Sequence, residues 1–285
     1  MKIEKVCVAG MGTMGSQIGI VCATGGYKTI MVEISDEAIE RGMANINRFI
    51  GGVVKKGKMS EEDGKSITER IEPTKNSREA FAEADVIIEA VFEDIDIKKQ
   101  IFKQADEVCK ENAILASNTS TLSITEMAAV ISNPQNFIGT HFLIPAALTP
   151  LVEVVMGLQT SDETHDRTIE FLKSCGKDTV TVKDSAGFVI NRIYVPMINE
   201  AFYALQEGIA SAEDIDKACR LGLGFPRGPF EASDASGLDI GIACLESMHK
   251  QLGEKFKAAP LMERLVKAGY LGRKTGRGVY DYSKK

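Results

Sequence analysis

Short apolar runs and stretches of helical spacing alternate through the first two thirds of the chain. Residues 6–9, 28–34, 86–90, 114–117 and 137–140 are runs rich in Val, Ile and Ala with little alternation, the mark of strands buried on both faces. After the second run, Ile39, Met43, Ile46, Ile50 and Val53 recur at spacings of three or four, with Arg41, Arg48, Lys55 and Lys56 turned away. This predicts a core-facing helix with a basic outer side. Repeated strand–helix units of this kind predict a parallel sheet covered by helices on both faces, with residues 151–156 and 178–182 as further strands at its far side. Beyond Asp184 the strand runs stop. Tyr194, Ile198, Ala201 and Leu205 form one helical period, and Ile215, Ala218 and Cys219 another, with turn chemistry from Gly222 to Pro229 before a further helix. The expected architecture is α/β: a doubly wound, mainly parallel sheet in residues 1–184, then an all-helical domain in residues 185–285.

The first strand breaks into Gly10-Met11-Gly12-Thr13-Met14-Gly15, and Glu33 stands at the end of the next apolar run. In that context the glycines form a dinucleotide fingerprint of Rossmann type. Gly10 allows the tight turn, Gly12 lets the backbone approach a pyrophosphate, and Gly15 lets the following helix, from about residue 14 to 23, pack on the sheet. The phosphates would meet the free N–H groups of that helix. Glu33 can accept hydrogen bonds from both adenosine ribose hydroxyls and repels a 2′-phosphate, so the expected cofactor is NAD.

The chain has 285 residues, enough for two domains with their own cores, and 40 acidic against 34 basic residues. A net charge of −6 argues against nucleic acid as a partner. The apolar runs are far shorter than a membrane span, and the N-terminus enters a strand without a signal-peptide pattern, so a cytoplasmic location is expected. The six cysteines, Cys7, Cys22, Cys109, Cys175, Cys219 and Cys244, include no C-x-x-C pair and read as reduced core residues; no metal site is expected.

Only three histidines are available as proton carriers near neutral pH. His165, in a polar helix start, and His249, beside Lys250, read as solvated. His141 directly follows a predicted strand and so should emerge at the carboxyl edge where α/β sheets bind ligands. Glu153, in the next strand, can reach back to it. Two readings of His141 stand at this point: a proton-transfer group with Glu153 as its partner, or a core histidine beside an unrelated buried acid.

Five segments in order, residues 116–124 (Ala-Ser-Asn-Thr-Ser-Thr-Leu-Ser-Ile), 139–142 (Gly-Thr-His-Phe), 151–154 (Leu-Val-Glu-Val), 184–192 (Asp-Ser-Ala-Gly-Phe-Val-Ile-Asn-Arg) and 271–280, together resemble the L-3-hydroxyacyl-CoA dehydrogenases, especially the short bacterial 3-hydroxybutyryl-CoA enzymes. The resemblance implies NAD-dependent interconversion of a 3-hydroxyacyl-CoA and its 3-keto form. It implies His141 as the general base and Glu153 as its orienting partner. Ser120 and Asn191 would hydrogen-bond the reacting oxygen or the thioester carbonyl. Glu93 and Lys98 would contact the NAD riboses, Asn118 the nicotinamide side, and Lys274 the cofactor. A homodimer through the C-terminal domain is implied as well.

Two departures concern the substrate. The family pattern after the histidine is Phe-Phe-Asn-Pro, and a Met-Lys pair precedes Leu-Val-Glu; here the residues are Phe142-Leu143-Ile144-Pro145 and Thr149-Pro150. Such a change also resembles the dehydrogenases of free hydroxy acids such as gulonate and carnitine. Against that reading, Lys56 and Lys58 match the basic helix end with which the acyl-CoA enzymes meet the 3′-phosphate of CoA, although such a charge run is equally a solvated face complementing the helix dipole. A non-catalytic NAD-binding protein is the remaining alternative.

Overall fold

The computed structural model describes residues 2–283. The chain divides into two compact units, Met1–Asp184 and Ser185–Lys285. In unit 1, strands β1 (Lys5–Ala9), β2 (Lys28–Val32), β3 (Ile71–Thr74), β4 (Val86–Glu89), β5 (Ile114–Ser117), β6 (Phe137–Phe142), β7 (Leu151–Met156) and β8 (Asp178–Lys183) form one sheet in the order β3-β2-β1-β4-β5-β6-β7-β8. Helices α1 (Thr13–Thr24), α2 (Asp36–Lys55), α3 (Glu61–Glu69), α4 (Ser77–Glu83), α5 (Ile95–Asp106), α6 (Ile124–Ala128) and α7 (Asp162–Ser174) connect the strands. The strand order reverses between β1 and β4, so a crevice opens beyond their carboxyl ends, where such sheets take ligands. Val6, Val8, Ile88, Ala116 and Ile138 on the strands pack with Ile18, Val21 and Ile46 on the helices as one core.

Strands β2, β3 and β6 differ from the sequence reading in ways that have a visible reason. β2 ends at Val32, which leaves Glu33 one residue beyond the strand, with its N–H still bonded to the Thr74 carbonyl. β3 carries Pro73 and gives no strand signal in the sequence; proline is tolerated there because β3 is an edge. β6 runs on to Phe142, so His141 lies inside the strand and not after it. Residues 137–139 of β6 pair with β5, but Gly139 to Phe142 pair antiparallel with Val155 to Val152 of β7, which keeps the chain extended past the end of β5.

Unit 2 is helical: α8 (Ile190–Gln206), α9 (Ala212–Gly222), α10 (Pro229–Ser236), α11 (Leu238–Leu252) and α12 (Pro260–Lys267). Phe202, Phe230, Leu238, Leu245 and Met248 fill its core, with the Phe202 and Phe230 rings edge to face at 5.0 Å. Two fully buried aspartates bind the last strand-like segment to it. Asp216 accepts from the Phe230 and Glu231 N–H groups and the Tyr280 hydroxyl, and Asp234 accepts from the N–H groups of Val279 and Tyr280. Burial and the Asp216 bond push the Tyr280 hydroxyl far above its ordinary pKa. Tyr194, the first member of the helical period read from the sequence, is 38 % exposed on α8, whose buried residues are Ile198, Asn199 and Phe202.

All six cysteines are free, and Cys7, Cys22, Cys175 and Cys244 are buried. Among the described residues no helix is long and apolar enough to cross a membrane, and no group of His, Cys, Asp and Glu could hold a metal ion.

Candidate active site

The turn out of β1 is built to accept an anion. Gly10 has φ +101°, closed to most side chains, and a Cβ on Gly15 would overlap the Gly10 carbonyl oxygen, with Ala90 next at 3.6 Å. The need for glycine at 15 therefore comes first from the turn itself and only then from packing on the sheet. A Cβ on Gly12 meets nothing within 4 Å, which leaves its outer face open to a ligand. Helices α2, α3, α5 and α7 each begin with a Ser or Asp side-chain cap and acidic residues in the first turn. Helix α1 has neither; Gly12 is its N-cap and Thr13 its exposed first residue. Its N-terminal N–H groups keep their positive field for a phosphate, so the residues present fit a dinucleotide.

Glu33 is tied to the same turn. Its Oε2 accepts from the Met11 N–H at 2.9 Å and its Oε1 from the Ile34 N–H at 2.8 Å, leaving lone pairs for ribose hydroxyls. Ile34 beside it is 91 % exposed. Replacing Glu33 by Gln together with Ile34 by Arg should therefore exchange repulsion of a 2′-phosphate for a charge-assisted bond. The expected result is a fall of roughly tenfold or more in the NADH over NADPH ratio of kcat/KM. A native enzyme that already used both cofactors equally would contradict this role for Glu33.

The chemical centre stands on three successive strands of the sheet. His141 and Glu153 are direct cross-strand partners in the antiparallel β6–β7 pair, so both side chains fall on the same face. Glu153 is fully buried and His141 is 4 % exposed. His141 Nδ1 lies 2.7 Å from Glu153 Oε2. A carboxylate at this position only accepts, so the contact favours the tautomer with its proton on Nδ1 and Nε2 as the acceptor. Ser120, in the loop after β5, places its Oγ 3.0 Å from that Nε2. Asn118 at the start of this loop accepts the Phe142 N–H at 2.9 Å and so pins the loop to the strand that carries His141.

Glu93 grips the loop from the other side. Its Oε1 accepts from the Thr119 hydroxyl and from the N–H groups of Ser120 (2.8 Å) and Thr121 (3.1 Å). Burial raises the Glu93 carboxyl, but the Lys98 charge and these donors outweigh it and hold it below the usual range. Lys98 is itself 1 % exposed; its ammonium lies 2.6 Å from Glu89 and 3.3 Å from Glu93. Downstream, Asp184 Oδ2 takes the Ser123 hydroxyl and the Thr125 N–H, both at 2.8 Å, and so anchors the start of α6.

The segment joining β6 to β7, residues 143–150, is clamped by a buried lysine. Lys177 Nζ donates to the carbonyls of Ala146 (2.7 Å) and Thr149 (2.8 Å), and burial lowers its pKa. The Ala147 N–H reaches Gln17 of α1 at 3.3 Å, which brings the segment beside the fingerprint helix. Ile144 and Leu148 project from it, 63 % and 60 % exposed.

Ser120, His141, Glu153, Glu93, Lys98 and Asn118 thus form one hydrogen-bonded neighbourhood, and Glu33 joins the fingerprint turn. Lys56 and Lys58 are exposed just past the end of α2. Asn191 and Lys274 belong to unit 2: Asn191 is in the first turn of α8, and Lys274 forms a 2.6 Å ion pair with Asp239. His165, expected to be solvated, is bonded to Asp166 at 2.9 Å and Thr181 at 2.8 Å, because β8 runs beside its helix. His249 pairs with Glu254 at 3.0 Å. Sequence reasoning missed Glu89, Ser117, Thr119, Lys177 and Asp184 as supports; a glutamate closing an otherwise apolar strand was the one local signal for Glu89.

Comparison with known proteins agrees along the whole length. The model of the 3-hydroxyacyl-CoA dehydrogenase NAD binding domain matches residues 5–185, and that of the C-terminal domain matches residues 187–282. A probable 3-hydroxybutyryl-CoA dehydrogenase of Bacillus subtilis is 43 % identical, with 100 % of this chain and 99 % of that protein covered. A 3-hydroxybutyryl-CoA dehydrogenase of Clostridioides difficile is 42 % identical over 98 % of this chain and 100 % of its own. The crystal structure of (S)-3-hydroxybutyryl-CoA dehydrogenase from Ralstonia eutropha superposes with a TM-score of 0.95 at 46 % identity, covering 99 % of this chain and 100 % of that one.

Proposed function

The chain belongs to the 3-hydroxyacyl-CoA dehydrogenase family, and on that premise we propose that it interconverts (S)-3-hydroxybutyryl-CoA and acetoacetyl-CoA through His141 and Glu153. It is an NAD-dependent oxidoreductase, and NAD supplies the hydride acceptor or donor when bound. The observation that carries the mechanism is the hydrogen-bonded chain from the buried Glu153 through the buried His141 to Ser120, on the same sheet whose first strand leads into an uncapped dinucleotide turn. His141 Nε2 takes the proton of the 3-hydroxyl in oxidation and returns it in reduction. Glu153 holds the tautomer that makes this possible and stabilises the imidazolium formed midway. The Ser120 hydroxyl orients the reacting oxygen or the thioester carbonyl. Gly10, Met11, Gly12, Thr13, Met14 and Gly15 hold the pyrophosphate and Glu33 the adenosine ribose. Glu93 serves the NAD riboses and Asn118 the nicotinamide side; Lys98, 1 % exposed, acts behind Glu93 and not on the riboses themselves.

The decisive experiment is NADH oxidation with acetoacetyl-CoA beside free acetoacetate. Turnover of the thioester supports the proposal; turnover of the free acid alone assigns the chain to free hydroxy acids, the reading that exposed Ile144 and Pro150 favour; no turnover of either overturns acetoacetyl-CoA as the substrate.

Lys56 and Lys58 are proposed to meet the 3′-phosphate of CoA. Neutralising both should raise KM for acetoacetyl-CoA with little change in kcat, since the contact is equal in ground and transition states. Each exposed contact is worth about 1 kcal/mol or less, roughly a fivefold effect that fades with salt. With a dephospho-CoA thioester, wild type and double variant should behave alike; an equal penalty on both substrates would assign the lysines to general stability.

We also propose a cytoplasmic homodimer through unit 2. Its apolar side chains Ile193, Ile209, Leu221 and Leu223, 64 to 77 % exposed, support that assignment.

A further inference from the structure

Behind the Ser120 loop lies an ion cluster that the proton transfer does not use. Glu89 closes β4 with no exposure, and its carboxylate is fully provided for: Oε1 accepts from Lys98 Nζ (2.6 Å) and the Val91 N–H (2.7 Å), Oε2 from the Ser117 hydroxyl (2.7 Å). Burial raises the Glu89 carboxyl above its ordinary range against the pull of Lys98, Ser117 and Val91. Two routes lead from it to the loop. Along the first, the Lys98 ammonium also contacts Glu93 Oε2, whose Oε1 holds the N–H groups of Ser120 and Thr121. Along the second, the Ser117 hydroxyl that donates to Glu89 accepts the Thr119 N–H at 3.3 Å. A buried ion pair gives weak net stability compared with apolar packing of the same volume. Here each link instead ends on the backbone of residues 119–121, which points to geometry as what the cluster supplies.

We propose that Glu89 is a positioning residue of the dehydrogenase reaction: through Lys98 and Glu93, and through Ser117, it sets the 119–121 loop so that the Ser120 hydroxyl stays on His141 Nε2. This rests on the roles of Ser120 and His141 proposed above.

The test is a double-mutant cycle with Glu89→Gln and Ser120→Ala, read by turnover and, in the ligand-free protein, by the ring-nitrogen NMR signals of the three histidines. Glu89→Gln should lower kcat about tenfold in the wild-type background but less than about twofold when Ser120 is already alanine. The His141 Nε2 signal should move in the same direction as in Ser120→Ala, with His165 and His249 unmoved. Ser117→Ala cuts one route and leaves the ion pairs intact, and runs in the same cycle if Glu89→Gln fails to fold; about a threefold fall is expected. An equal fall in both backgrounds, or an unmoved His141 signal, overturns the proposal and leaves the cluster a structural role. Full turnover in Ser120→Ala alone would remove Ser120 from the site and the Glu89 proposal with it.

Discussion

His141→Ala is expected to lower kcat for reduction of acetoacetyl-CoA by about 10²- to 10⁴-fold while NADH binds as before. The fall is that of a general acid–base group removed from the transition state. Cofactor binding survives because the fingerprint turn lies between β1 and α1 and Glu33 follows β2, whereas His141 stands on β6. The ring is buried, so truncation leaves a cavity, and a melting curve separates lost chemistry from lost fold. Stopped-flow turnover and fluorescence titration of NADH check the two halves of the expectation. Turnover at the wild-type rate would exclude His141 as the proton carrier.

Glu153→Gln should cost nearly as much, about 10²-fold or more, by a different route. The amide keeps the shape but is neutral, so it offers no counter-charge to the imidazolium. Its NH₂ can also donate to Nδ1 and thereby move the ring proton to Nε2, the nitrogen that must accept. The measurement is kcat against pH. Because Glu153 contacts the ring directly at 2.7 Å, its loss should lower the whole profile. A profile identical in shape and height to that of the wild type would count against the pair.

Much of this site is legible in the sequence, and the illegible part has a common cause. The fingerprint, the βαβ alternation and the helical second half follow from local periods and from glycines whose backbone roles are local. His141 and Glu153 are visible as candidates because histidines are scarce. Their pairing stands in the sequence only as one of two readings and as what the resemblance implies, since it depends on β7 running antiparallel to β6, a register that nothing within either segment announces. Nor does either segment announce His141 lying within β6 or His165 reaching Thr181. Glu89 and Lys98 are a harder case. Glu89 lies within a run read as a buried strand and Lys98 enters only as an implied ribose contact; the fold alone shows that the two are buried together as an ion pair.

The antiparallel register has an evolutionary consequence. His141 and Glu153 owe their meeting to hydrogen bonds along β6 and β7, which β5 and β8 hold from either side; the eight residues between the two strands take no part in it. Those residues carry the exposed Ile144 and Leu148 and are fastened separately by Lys177 and Gln17. The joining segment and the proton-transfer pair are therefore written in different stretches of the gene, and departures such as Ile144 and Pro150 leave the pairing of His141 with Glu153 in place.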